Sequence, residues 1–257
     1  MNYKFTDKAK NVWYAKRSLK RIELEDGTIG GFIESEKNLS RDGDAIVSGN
    51  ATVSGNARVS GDARVSGDAT VCGNARVSDD ARVYGNAIVS GNARVSGDAR
   101  VSDDAIVSGD ARVYGNARVH GNATVHGNAT VHGNARVSDD ARVSDDATVY
   151  GNARVHGDAI VSGDATVHGN ARVFGNAEIK KTTDYLVVGP IGSRSDYTTF
   201  YKNKKNGILV TCGCFCGSIE EFEEAVNKKH GDSKHAKMYR AAIQIAKMQI
   251  LEGAEND

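Results

Sequence analysis

The sequence predicts a mainly β chain built as a solenoid, and three observations carry that expectation. The first is a repeat: from Gly43 to Lys180 the chain reads as 23 uninterrupted six-residue units, (Gly/Asp)-(Asn/Asp)-Ala-x-Val-x. Every unit has Ala third, Ala45 through Ala177, and Val fifth, Val47 through Val173, with Ile179 closing the run. The second is the period itself. Six does not divide into helical turns of 3.6 residues, whereas two-residue alternation in x-Val-x turns Val inward and its neighbours outward. The third is that Gly-Asn, Gly-Asp and Asp-Asp tolerate positive φ, so each short strand ends in a tight corner. The single proline, Pro190, fits this picture, because an interior strand pairs on both edges and needs its N–H.

Composition removes other classes. The chain has 33 basic and 33 acidic residues, so no overall basic field drives nonspecific binding to nucleic acid or membrane. It has no apolar run of spanning length, and the start MNYKFTDKAK lacks the apolar core of a secretion signal. Four cysteines do not make a disulfide framework, so a cytoplasmic location is expected.

The pattern Val-x-Gly-Asn-Ala-x over roughly residues 28–180 resembles the hexapeptide repeat of the left-handed parallel β-helix superfamily. The stretch GGFIESEKNLSRDGDAIV, Gly30 to Val47, is similar to the first coil of bacterial and prophage hexapeptide proteins often labelled transferases. That resemblance implies a triangular coil of three hexads, hence about eight coils for residues 43–180 and a rod roughly 37 Å long at one strand spacing per coil. Ile33 and Leu39 are six apart and suggest two degenerate units before a two-residue slip. Residues 1–42 are expected to cap one end, with Trp13, Tyr14, Leu19 and Ile22 as their apolar residues.

Residues eighteen apart then form outward columns. A first face holds seven arginines, from Arg64 to Arg172. A second carries Thr52, Thr70, Ile88, Ile106, Thr124, Arg142 and Ile160, and a third runs from Arg58 to Arg112 and continues as Thr130, Thr148 and Thr166. Stacked like charges cost about 1 kcal/mol per pair in water. The 15 Asp of the repeat, with Glu178, outnumber its 13 Lys and Arg, so the corners can offset them, the alternative being a bound anion. The less charged second face is the expected self-association surface, in line with the homotrimers usual in the resembled family. Tyr114, His132, Tyr150 and His168 form an aromatic column, read as sheet stabilisation or as a stacking platform.

Beyond residue 180 the period ends, and residues 181–257 are expected to form a small α+β domain. It is read as three short strands with turns at Gly189–Gly192 and Lys204–Gly207, then two helices. Ser218 and Glu221 make a capping box for the first helix and Gly231 ends it; the second runs from about Ser233 to Leu251. Gly189-Pro-Ile-Gly-Ser-Arg194 offers N–H groups, a hydroxyl and a guanidinium as an anion cradle, with Thr198, Thr199 and Tyr201 adding hydroxyls. Cys212, Cys214 and Cys216 alternate and would share one strand face. They are read as packed thiols, with zinc held by these three and His230 as a remote alternative.

The functional expectation is therefore a non-enzymatic binding protein, a rod expected to be trimeric in the resembled family's manner, that presents a C-terminal site to a small phosphorylated or nucleotide-like ligand. No cofactor, metal, membrane or nucleic-acid partner is expected, and a phage origin is suggested by the resemblance. Two alternatives remain. One is an acetyl-CoA-dependent acyltransferase using His126, His120 or His132 as base, as the resemblance implies. The other is a structural or assembly subunit.

Overall fold

The computed structural model describes residues 3–12, 17–24 and 27–251. Three strands open the chain: β1 (Tyr3–Val12), β2 (Arg17–Leu24) and β3 (Ile29–Ile33). Twenty-three two-residue strands follow, β4 to β26, from Ile46–Val47 to Glu178–Ile179. Consecutive hexads enter three different parallel sheets in turn, so each strand pairs with the one three hexads later. Arg82 pairs with Arg64 on one side and Arg100 on the other, and Ile88 with Thr70 and Ile106. The three columns read from the sequence are thus the outward residues of three sheets around an axis of about eight coils.

Inside, each repeat valine and alanine is fully buried, Ala45 alone keeping a 2% trace of exposure. Burying one valine stabilises by about 1.5–3 kcal/mol, so the column of these side chains is the main driving force. Their cluster is continuous from Tyr3, through every coil, to Tyr201.

The corners explain the glycine content. The first residue of every hexad has positive φ, and four of them are aspartates, Asp79, Asp103, Asp139 and Asp145, at φ 59–60°. At Gly91 an added Cβ would sit 2.9 Å from both the backbone nitrogen and oxygen of Gly109, one coil on. Each left-handed aspartate compensates by turning its carboxylate to the next coil, where Gly97, Gly121, Gly157 and Gly163 donate their N–H to it at 3.0–3.1 Å. Above and below each of these aspartates stands a glycine. Asparagines in the second position form amide ladders, such as Asn56 to Asn74 to Asn92 at 3.1 and 2.9 Å.

At the N-terminal end β1 and β2 form an antiparallel hairpin that β2 and β3 join to the second face. Ile33 pairs with Val53 and Leu39 bridges to Val59, twenty residues on rather than eighteen, which is the two-residue slip. Leu19 and Ile22 are buried there, whereas Trp13 and Tyr14 lie outside the described residues. The buried Asn38 amide donates to the carbonyls of Ala57 (2.8 Å) and Gly55 (3.0 Å), supplying donors a missing coil would have supplied.

The C-terminal end is closed by hydroxyls. Thr166, His168 and Arg172 on the last strands donate their N–H to Thr182 Oγ1, Tyr185 Oη and Thr199 Oγ1 at 3.1, 3.2 and 3.0 Å. Four antiparallel strands follow in order: β27 (Tyr185–Ile191), β28 (Asp196–Lys202), β29 (Ile208–Cys212) and β30 (Phe215–Ser218). The sequence suggested three. The apolar run Gly207–Gly217 reads as one strand, but Gly213 at positive φ opens a two-residue hairpin inside it, pairing Cys212 with Phe215. The expected turn at Gly189–Gly192 is likewise displaced, since β27 continues through Pro190 with a register shift and the chain reverses after Gly192.

Two helices, α1 (Ile219–His230) and α2 (Lys234–Ile250), cover one face of this sheet. Ser218 and Glu221 make the capping box, their two bonds 3.2 and 2.7 Å long, and Gly231 ends α1. No described helix is long and apolar enough to cross a membrane.

Two substitutions separate conformation from stacking. Gly169→Ala, where an added Cβ meets nothing within 4 Å, should cost about 1–2 kcal/mol for the left-handed backbone alone. Gly91→Ala should cost measurably more, because Gly109 obstructs the methyl group; urea midpoints of the two variants provide the comparison.

Candidate functional site

The C-terminal sheet has two faces with different tasks, and strand alternation assigns each side chain to one. On β28, Thr199 and Tyr201 point to the rod. Thr199 caps Arg172, and the buried Tyr201 hydroxyl is 2.9 Å from Thr211 Oγ1. On the opposite, helix-covered face, Thr198 donates to Cys212 Sγ at 3.3 Å. The three hydroxyls expected to serve one ligand are therefore divided, and all three residues are buried.

Ser193 and Arg194 are placed otherwise. They sit on the turn between β27 and β28 and line a cavity of about 180 Å³ between the sheet and the helices. Gly192 holds this turn against α2: its φ is +73°, and a Cβ would overlap the Tyr239 ring and hydroxyl. Arg194 Nη1 lies over the hairpin tip, 4.0 Å from Cys214 Sγ. Lys229 and His230, from the last turn of α1, border the same space. Its walls are Phe215, Phe222, Ala225 and Val226, with Tyr239 facing them. Phe222 meets Phe215 at 5.2 Å and Tyr239 edge-on at 5.5 Å, which keeps this wall in place. Burial, and then the neighbouring Cys212, push the Tyr239 hydroxyl up to about 12, so it stays a neutral donor at physiological pH.

Arg194, Lys229 and His230 thus face one carboxylate, Asp196, across an apolar wall. Of these, sequence reasoning singled out Arg194, and His230 in another role. A signal for Lys229 was present: Phe222, Ala225, Val226 and Lys229 follow at helical spacing behind the capping box, so one helix face holds them all.

The cysteines do not form a common face. The hairpin sets Cys212 opposite Phe215 and Cys216 opposite Thr211, on alternate sides of the sheet, with Cys214 in the loop between them. Among the described residues no group of three or more His, Cys, Asp or Glu has metal-binding geometry.

His120, His126 and His132 lie on the first, second and third faces, so they are not brought together. His132 is stacked between Tyr114 and Tyr150 at 4.9 and 5.0 Å. The repeat histidine beside a carboxylate is instead His156, whose Nδ1 is 3.6 Å from Asp139 Oδ2. Burial lowers its affinity for a proton and Asp139 raises it in part.

The YdcK beta solenoid repeat model matches the chain in nine stretches, beginning with 45–61 and ending with 141–157 and together spanning less than half of the chain. The matched stretches fall within the coils described above and leave both ends of the chain aside. The rod is similar to the acetyltransferase domain of PglB from Neisseria gonorrhoeae FA1090 in complex with acetyl coenzyme A. That match has 21% identity, covers 43% of this chain and 53% of that one, and has a TM-score of 0.40. A hexapeptide transferase family protein from Anaplasma phagocytophilum is similar at 15% identity over 55% and 71% of the two chains, with a TM-score of 0.22. The chain spans about half the length of the PglB structure. A search of curated proteins finds no match.

Burial lowers the proton affinity of both His132 and His156. The folded rod therefore favours the neutral rings. Its stability should be complete above the unfolded histidine value of about 6.5 and decline as pH falls from there toward 5. His132→Ser, placing the residue found at Ser60, Ser78 and Ser96, should flatten that decline in melting temperature.

Proposed function

We propose that the protein is a non-enzymatic binding protein, a rigid solenoid whose C-terminal end holds a small anion carrying a short apolar group. The observation supporting this is the cavity beside Arg194: lined by two cations, Arg194 and Lys229, against one carboxylate, Asp196, and apolar along Phe215, Phe222 and Val226. A guanidinium offers paired donors to a phosphate or carboxylate, and the aromatic wall excludes water around them. Its volume of about 180 Å³ lies under the roughly 300–1,000 Å³ of drug-sized pockets. A phosphate or carboxylate with a short side chain fills it, and a nucleotide would leave its base outside. Self-association belongs to the same reading, as a trimer through the second face, where Ile88 is exposed.

Calorimetric titration with phosphate monoesters, mononucleotides and short carboxylates tests the site. Arg194→Ala should weaken the binding of the best of them by about 10- to 100-fold, the range for a lost charge-assisted hydrogen bond. Its melting temperature should be unchanged. Equal binding by the variant, or no binding by any compound in the set, overturns the assignment.

A second reading, acetyl transfer from acetyl-CoA, has one supporting observation, the His156–Asp139 pair. A neutral His156 held through Nδ1 by Asp139 would take the acceptor's proton on Nε2. Incubation with acetyl-CoA and pooled acceptors should release thiol under this reading, and His156→Gln should stop that release.

A further inference from the structure

The corner between the third and first faces changes chemistry halfway along the rod. In the early coils its outermost residues are Asp44, Asp62, Asp80 and Asp98, one above the other. In the later coils the same position holds Asn116, Asn134, Asn152 and Asn170. The third face changes in step, on two positions. Arg58, Arg76 and Arg94 give way to Thr130, Thr148 and Thr166, while Ser60, Ser78 and Ser96 give way to the aromatic column from Tyr114 to His168. The arginines of the first face do not change.

The early half of this corner therefore places an acidic column between two basic ones, a self-neutralised surface. The later half has lost the acids and kept the first-face arginines. Arg136, Arg154 and Arg172 have no carboxylate within 4.0 Å and no side-chain hydrogen bond among the described residues. Asp139, Asp140 and Asp158 occupy the opposite corner of the first face, where Asp139 is engaged with His156, while Asp146 and Asp164 stand on the far corner of the third face and Glu178 on the second.

The strip beside these arginines is built to donate and accept hydrogen bonds. Asn134 donates to Asn152 and Asn152 to Asn170, amide to amide at 3.2 Å, so each donor spends one of its two N–H groups within the ladder. The rings of Tyr114, His132, Tyr150 and His168 are 4.9, 5.0 and 5.2 Å apart, with interplanar angles of 2°, 1° and 19°. They stack on one another, and Tyr185 closes the column edge-on at 6.2 Å from His168. The rings of His132, Tyr150 and His168 thus have a ring on either side, whereas Tyr114, 38% exposed, has Ser96 and no ring on its other side. Ring edges, with tyrosine hydroxyls and imidazole nitrogens, are what face outward. At its C-terminal end the strip opens into a cavity of about 240 Å³ between Asn152, Arg154, Asn170 and Arg172, closed by Asp196 and Tyr197 of β28.

We infer that this strip binds an extended acidic polysaccharide lying along the rod. The arginines take its carboxylate or sulfate groups, and the amides and ring edges take its hydroxyls. A nucleic acid would bring a run of bases, for which the column offers only the ring at its start, Tyr114. A chain of phosphates alone would use the arginines and leave the amide and phenol columns idle. The site is distinct from the cavity at Arg194 and does not depend on it.

The test exploits the rod's own earlier coils. Asn134→Asp with Asn152→Asp rebuilds the acidic corner that Asp62 and Asp80 already form, so circular dichroism and melting temperature should not change. Polygalacturonate should bind the unmodified protein, more weakly as salt rises, while neutral dextran should not bind. The double variant should lose at least tenfold in affinity, and Asn56→Asp with Asn74→Asp, on another corner, should lose nothing. Failure to bind polygalacturonate, or equal binding by the corner variant, overturns the inference. Tighter binding of single-stranded DNA or of polyphosphate overturns the glycan assignment in favour of that polymer.

Discussion

One constraint governs the molecule: stacked corners stand a single strand spacing apart in left-handed backbone, where a side-chain carbon is crowded by the corner of the next coil. Glycine satisfies it by having none. Aspartate satisfies it at four corners by tolerating the left-handed backbone and giving its carboxylate to the glycine N–H above. Everything else follows from corners that stack without shear. Valines meet valines along the axis, asparagine amides reach their neighbours, and each outward column becomes a line of identical or exchangeable residues. Columns of this kind concentrate charge or aromatic surface in a way that no isolated hairpin does.

The same regularity leaves unfinished ladders at both ends, and the chain solves the two differently. Asn38 imitates a missing strand by offering its amide to two carbonyls. Thr182, Tyr185 and Thr199 receive N–H groups at the other end, so the Thr199 hydroxyl is engaged in ending the rod. The terminal sheet spends one face on ending the rod and has the other free to build a cavity with two helices. Edge protection and site formation are thus two sides of one four-stranded sheet.

Much of this was legible in the residues themselves. Six-residue spacing of Ala and Val determines the three sheets, because shifting any strand by one residue would turn valine to solvent. Ile33 and Leu39 revealed the slip before the first regular coil. What escaped was local and depended on chain reversal. Gly213 lies in a run of strand-forming residues and looks like part of a strand, so the cysteines were assigned to one face. Thr198, Thr199 and Tyr201 looked like one hydroxyl set because sequence adjacency hides the pleat that separates them. The Asp139–His156 pair joins two coils, seventeen residues apart, and its partners follow different positions of their hexads.

The uninterrupted run from residue 43 to 180 has a further consequence for how such a chain changes length. Any block of three hexads can be deleted or duplicated at a corner without altering which residue lies inside, so every surviving column stays continuous. Each event moves the two termini by about 4.8 Å, the height of one coil. The gene thereby encodes a ruler graduated in coils, and unequal recombination between its near-identical repeats resets the span while sparing both terminal structures.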